Sequence, residues 1–119
     1  MKNFLKNHNK DNGLNFENRL KAYLIAKGWY CIRSAASKSL IDLVAIKKEQ
    51  LLLIQCKSTI SNKLPKKIVS NKEFMAFGNL DINFIKLVII YSKALGRCAC
   101  FYWSKTNHKW ILHTDHIHI

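Results

Sequence analysis

The residues best able to do chemistry lie in a predicted β-hairpin in the first half of the chain. The apolar stretches Leu40–Ile46 and Leu51–Lys57 are predicted as strands, and a symmetric turn between them would place Asp42 opposite Gln55. Opposed β-carbons lie about 4.5–5.5 Å apart, and strand alternation puts Lys57 on the same face. Burying a carboxylate, an amide and an ammonium without partners is costly, so their grouping indicates a catalytic or binding site. A hairpin with one solvated face is the alternative.

The positive charge of the chain is concentrated in its first half. The 119 residues include 20 Lys or Arg and 7 Asp or Glu, a formal net charge of +13. Residues 1–69 hold 14 basic and 4 acidic side chains, a net charge of +10. This excess favours a polyanionic partner, and nucleic acid is favoured over a membrane because the lysines do not form one amphipathic helical stripe. Those expected to contact DNA flank or lie in loops: Lys38, Lys47, Lys48, Lys63, Lys66 and Lys67.

Length and composition fit one folded domain. Hydrophobic residues make up 49% of the chain, too many for an intrinsically disordered protein. No apolar run approaches the ~20 residues of a membrane-spanning helix, and the N-terminus lacks the apolar segment of a signal peptide, so we expect an intracellular protein. Residues 1–13 are polar and are expected to form a basic flexible arm, whereas residues 14–119 would form the domain.

Helical spacing of apolar residues predicts a helix at the start of this domain. Phe16 and Leu20 recur at that spacing within Leu14–Lys27, Asn15 is a candidate N-cap, and Gly28 is placed to end the helix.

A second helix is predicted after the basic segment that contains the only proline. Ser70 and Glu73 form the S-x-x-E pattern of a capping box in front of apolar residues. The predicted strands are Trp29–Arg33, Leu40–Ile46, Leu51–Lys57, Asn83–Tyr91, Arg97–Ser104 and Lys109–Thr114. A helix, three strands, a helix and three strands favour one mixed sheet with helices packed on it.

The chemistry-bearing positions resemble the PD-(D/E)xK nuclease core, and specifically that of the archaeal-type Holliday-junction resolvases. The resemblance covers Asn15–Thr59 and depends on Glu17, Arg33, Ser37, Asp42, Gln55, Cys56 and Lys57. Gln55 stands where the family has an acid, a variant similar to the nuclease domains of type IV restriction enzymes. Ile41 stands where the family often has proline. The resemblance implies an α/β, restriction-endonuclease-like core with a central mixed β-sheet flanked by helices.

The resemblance further implies a metal-dependent DNA endonuclease using Mg²⁺ or Mn²⁺. The implied ligands are the Asp42 carboxylate, the Gln55 amide oxygen and the Cys56 carbonyl. Glu17 would restore the negative charge that Gln55 lacks. Lys57 would orient the attacking water or stabilise the phosphate in the transition state. Gln55→Glu is therefore expected to tighten metal binding.

Arg33 and Ser37 would hold the DNA backbone near the cut. A four-way junction has two symmetric cleavage points, so the resemblance implies a homodimer acting on branched DNA. Two alternatives stay open: a restriction-like or homing-type endonuclease acting on duplex DNA, and a non-catalytic nucleic-acid-binding protein that keeps the nuclease fold.

Cysteines and late aromatic residues are expected to be structural. No pair of cysteines has a zinc-finger spacing, so all four are expected to be reduced and packed as small apolar groups. Trp103 and Trp110 are expected in the core or in an interface rather than stacked on bases.

Overall fold

The computed structural model describes residues 12–35, 39–60 and 65–117. Its elements are α1 (Asn12–Ala26), β1 (Tyr30–Arg33), β2 (Leu43–Lys47), β3 (Gln50–Thr59), α2 (Pro65–Ile68), α3 (Lys72–Gly78), β4 (Ile85–Ser92), β5 (Arg97–Ser104) and β6 (Lys109–Ile117). This order is the predicted one with the four-residue helix α2 added. No helix within the described ranges is long and apolar enough to cross a membrane.

The six strands form one sheet in the order β1 to β6. Strands β3 and β4 pair in parallel, and every other neighbouring pair is antiparallel. The parallel pair requires a crossover, which carries α2 and α3. The predicted mixed sheet flanked by helices is therefore confirmed.

The predicted hairpin register is confirmed, although β2 is shorter than expected. Leu43 pairs with Ile54 and Lys47 with Gln50, as a symmetric turn requires. Strand β2 begins at Leu43 rather than Leu40 because the Ser39 hydroxyl donates to the Ile41 carbonyl (2.9 Å) and accepts from its N–H (3.1 Å). This local turn occupies the main-chain groups that a strand ladder would need.

Helix α1 packs the predicted apolar stripe against one face of the sheet. Phe16 and Leu20 are each 1% exposed. The helix begins at Asn12, so Asn15 lies in its first turn and is not the N-cap, and residues 12 and 13 of the predicted arm are helical. Residues 1–11 lie outside the described residues. The helix ends before Gly28, whose φ of +95° is readily adopted only by glycine.

Helix α3 packs on the opposite face, and the predicted capping box at its start is wrong. The N-cap is Asn71, whose side chain accepts a hydrogen bond from the Phe74 N–H (2.9 Å). Ser70 donates its hydroxyl to the Lys67 carbonyl instead. Asn is as good an N-cap as Ser, and a cap one residue later moves Glu73 out of the position that reaches back.

Alternation along the strands divides the core between the two faces of the sheet. On the α1 face, Phe16 packs with Ile54, and on the α3 face Phe74 packs with Leu53 and Trp110. The Trp110 indole donates to the Phe74 carbonyl (2.9 Å), which ties α3 to β6. All four cysteines are free, as expected, and Trp110 is a core residue, as expected.

Gly78 allows α3 to approach the sheet closely, and we predict that Gly78→Ala destabilises the protein. An added β-carbon would overlap the Trp103 ring, which is too rigid to move aside cheaply. Overpacking of this kind costs about 1–3 kcal/mol, measurable as a lower midpoint in urea unfolding. In a Trp103→Leu background the same change should cost much less, because the overlapping ring is gone. Equal costs in both backgrounds would contradict the close-packing explanation.

Candidate active site

Asp42 lies where β2 separates from β3, and its carboxylate is fixed by the backbone. The paired register ends at Leu43 and Ile54. Beyond that point the Cys56 N–H donates to Asp42 Oδ2 (2.8 Å). The carboxylate thus takes the place of the main-chain carbonyl that a neighbouring strand would offer this N–H. The other carboxylate oxygen, Oδ1, takes no part in this hydrogen bond.

Cys56 can offer this site its main-chain oxygen and not its sulfur. The N–H and C=O of one strand residue project toward the same neighbouring strand, so the Cys56 carbonyl lies on the side where its N–H meets Asp42. Burial raises the pKa of the Cys56 thiol well above its usual range, and the charge of Asp42 raises it further. The thiol therefore stays protonated and packs as an apolar group.

Gln55 is buried with one half of its amide unpaired. The side chain is 2% exposed, and Nε2 donates to Glu73 Oε1 (2.8 Å). Oε1 is buried and has no hydrogen-bond partner among the described residues. Leaving a buried acceptor unpaired costs about 1–3 kcal/mol, and a bound cation would satisfy it. The residues therefore fit the predicted metal ion.

Glu17 brings a second carboxylate from α1 toward the same place. Its Oε2 lies 3.5 Å from Nη1 of Arg33, at the end of β1. Burial raises the pKa of the Glu17 carboxyl, the Asp42 charge raises it further, and Arg33 lowers it. Helix α1 and strand β1 thus place a paired acid and base beside Asp42.

Electrostatic repulsion at Asp42 favours a bound cation. Burial raises the pKa of the Asp42 carboxyl, the Cys56 N–H lowers it, and the Glu73 charge raises it. No three His, Cys, Asp or Glu side chains within the described ranges are arranged to bind one metal by themselves. A cation here would also need the amide and main-chain oxygens, which are ligands that hard divalent cations accept.

Lys57 follows two residues after Gln55 on β3 and projects from the same face. Its side chain is exposed and forms no ion pair with a described residue. An exposed ammonium next to a candidate metal site is available to an anionic substrate.

The predicted DNA-contacting residues are not all brought to this site. Lys47 and Lys48 lie at the far end of the hairpin, about 16 Å from Asp42 at about 3.3 Å per residue. Lys47 donates to the Lys27 carbonyl (2.9 Å) and so caps the end of α1. Lys67, in α2, is exposed. Lys66 is also in α2, but its side chain is not described, and three others lie outside the described residues: Ser37, Lys38 and Lys63.

Glu73 is the site residue that sequence reasoning missed. The S-x-x-E pattern assigned it to a helix cap, whereas it accepts from Gln55, 18 residues earlier in the chain. The only available signal was Asn71, which is an equally good N-cap and would have left Glu73 without a local role.

Residues 8–76, more than half of the chain, match the family model described as archaeal Holliday junction resolvase (Hjc). The chain belongs to the archaeal Holliday junction resolvase family. The family predicted from the sequence is thereby confirmed. The matched segment of this resolvase-family protein spans the candidate site from Glu17 to Glu73.

Known proteins resemble parts of this resolvase-family chain. The Methanocaldococcus jannaschii protein named crossover junction endodeoxyribonuclease Hjc is 39% identical over 56 residues, 47% of this chain and 41% of that protein. The match thus spans about two-fifths of the relative's length. The Archaeoglobus fulgidus structure titled Hjc, a Holliday junction resolvase, superposes with a TM-score of 0.53 at 21% identity, covering 77% of this chain and 71% of that one. This likeness confirms the predicted α/β core.

We predict that Asp42→Asn stabilises the metal-free protein at neutral pH. A carboxyl whose pKa is raised in the fold favours folding when neutral, and this contribution is lost as the pH rises through the folded-state pKa. Asn is neutral and keeps an acceptor for the Cys56 N–H. Thermal unfolding in EDTA should show a higher midpoint for the variant at pH 7, with the gain shrinking as the pH falls toward about 4. A lower midpoint at pH 7 would make Asp42 a structural residue.

Proposed function

We propose that this protein is a metal-dependent endonuclease that hydrolyses phosphodiester bonds in four-way DNA junctions. The observation that carries the proposal is the Asp42 carboxylate held by the Cys56 N–H beside the buried, unpaired oxygen of Gln55, in a chain of the resolvase family. The names of the two relatives, a crossover junction endodeoxyribonuclease and a Holliday junction resolvase, support branched DNA as the substrate.

Three oxygens of the site would hold Mg²⁺ or Mn²⁺: those of the Asp42 carboxylate, the Gln55 amide and the Cys56 carbonyl. When bound, such an ion neutralises charge on the phosphate and lowers the pKa of a coordinated water. The surrounding residues supply what the ion needs: Glu17 adds negative charge, and the sheet holds the ligands rigidly because two of them belong to the central strand β3.

Positive side chains next to these oxygens would act on the DNA. The exposed Lys57 ammonium is placed to stabilise negative charge that develops on the phosphate during hydrolysis. Arg33 is partly exposed, at 36%, so its guanidinium can keep Glu17 in place and still contact a backbone phosphate.

We propose that two copies act on one junction. A four-way junction presents two symmetry-related strands, and each chain carries one candidate site, so paired incisions require a two-fold arrangement of two chains.

A second candidate is a non-catalytic protein that binds branched nucleic acid. The observation that favours it is the neutral amide of Gln55 at the position where the family has an acid. Binding without cleavage would then be the whole activity.

We predict divalent-metal-dependent cleavage of a labelled four-way junction, with much weaker action on linear duplex and single strands. The measurement is product formation in Mg²⁺, in Mn²⁺ and in EDTA, with Lys57→Ala as a variant expected to bind but not to cut. Cleavage of duplex in preference to the junction would support the restriction-like alternative. Tight junction binding with no cleavage in either metal would leave the non-catalytic binder.

We predict that junction affinity in EDTA falls steeply with salt and depends little on base sequence. Neutralising six to ten phosphates lowers affinity by about a thousandfold or more between roughly 50 and 200 mM salt. Lys67→Ala, which changes an exposed lysine of α2, should reduce the slope of log affinity against log salt by about one. Lys109→Ala on β6 is the matched control and should leave the slope unchanged. A flat salt dependence would mean that the basic side chains of residues 1–69 do not form the DNA-binding face.

A further inference from the structure

Gln55 and Glu73 form a linked pair that joins the centre of the sheet to the first turn of α3. The 2.8 Å hydrogen bond from Gln55 Nε2 to Glu73 Oε1 crosses from β3 to the helix. The nitrogen and oxygen of an amide lie on opposite sides of its carbon, so holding Nε2 against Glu73 directs Oε1 away from α3. Oε1 is the buried acceptor that no described residue satisfies.

The pair separates two properties that one carboxylate would combine. The amide supplies an oxygen of suitable shape and no charge, whereas Glu73 supplies a negative charge that acts on Asp42. A hydrogen bond from an N–H to a carboxylate also polarises the amide and increases the negative character of its oxygen. Asn71 caps α3, so the Glu73 carboxylate is not the helix cap and is available to Gln55.

We propose that Glu73 is a positioning residue that allows a glutamine to serve as a metal ligand in this site. Its carboxylate fixes the orientation of the Gln55 amide and supplies the charge that the amide lacks. The inference rests on the proposed function, since it concerns the same metal ion, and it extends the site to a helix that the sequence motif does not include.

If Glu73 has this role, Gln55→Glu should not tighten metal binding, which is the opposite of the expectation based on the sequence. On sequence grounds this change adds a charged oxygen and tightens metal binding. In the structure it would place a second carboxylate within hydrogen-bond distance of the Glu73 carboxylate, with no N–H between them. We therefore expect the single variant to bind metal no better than the wild type.

The first test is Glu73→Gln, which keeps an acceptor for Gln55 Nε2 and removes only the charge. We expect Mn²⁺ affinity, measured by calorimetry without DNA, to fall about tenfold, the scale seen when an outer partner of a metal ligand is lost. The Mg²⁺ concentration for half-maximal junction cleavage should rise in parallel. Glu49→Gln, in the exposed β2–β3 turn, removes the same charge away from the site and should change neither value.

The decisive variant is the exchange Gln55→Glu with Glu73→Gln. It moves the carboxylate to β3 and the amide to α3, so the hydrogen bond runs in the reverse direction and the total charge is unchanged. We expect the double variant to bind Mn²⁺ at least as tightly as the wild type, whereas each single variant binds more weakly or no better. Melting temperatures measured without metal show whether a variant is misfolded. If a single variant bound metal weakly only because it misfolded, the exchange would not restore its metal binding.

Two results would overturn the proposal: wild-type Mn²⁺ affinity in Glu73→Gln, or an exchange variant that binds no better than Glu73→Gln alone. Failure of the proposed function has a different signature. In that case the wild type itself neither cleaves a junction nor binds Mn²⁺, and the variants do not differ from it.

Discussion

The structure of the site depends on one hydrogen bond, from the Cys56 N–H to the Asp42 carboxylate. It forms just beyond the paired register of β2 and β3. A side-chain oxygen there accepts the hydrogen bond that a main-chain carbonyl of a longer strand would accept. Together with the hydrogen bond from the Asp42 N–H to the Ile54 carbonyl (2.8 Å), that contact holds Asp42 and its carboxylate against β3. The local turn built by the Ser39 hydroxyl, which delays the start of β2 to Leu43, is what makes room for it. A longer β2 would have paired the Cys56 N–H and displaced the carboxylate.

Charge balance explains the remaining features of the site. Carboxylates are contributed by α1, by the residue just before β2 and by α3, and burial, together with repulsion between carboxylates, raises the pKa of Glu17 and of Asp42. One ion pair, to Arg33, offsets part of this repulsion, and the unpaired Gln55 oxygen adds a further acceptor. A bound cation would stabilise the carboxylates and the Gln55 oxygen alike. The protein thus places carboxylate and amide oxygens in an arrangement that is unfavourable without a nearby positive charge.

The sequence predicted what local patterns determine and missed what depends on distant contacts. Strand alternation and a symmetric turn were sufficient to predict the pairing of Leu43 with Ile54. The helical spacing of apolar residues was sufficient to predict which face of α1 is buried. The predicted N-cap of α3 was wrong because Asn71 and Ser70 are comparable caps, and only packing chooses between them. The predicted N-cap of α1 was wrong because that helix begins at Asn12, before Asn15. The role of Glu73 could not be predicted, since its partner is 18 residues away. Lys47 was predicted to contact DNA from its charge, whereas its hydrogen bond to the Lys27 carbonyl at the end of α1, 20 residues earlier, could not be predicted from local pattern.

The proposed binding site for a divalent cation lies at the end of the β2–β3 ladder beside Asp42. A crystal structure of the protein grown with Mn²⁺, examined by anomalous scattering, tests this most directly. We expect a manganese peak within bonding distance, about 2.0–2.3 Å, of an Asp42 carboxylate oxygen, Gln55 Oε1 and the Cys56 carbonyl. A well-ordered site without such a peak, or manganese bound elsewhere on the protein alone, would contradict it.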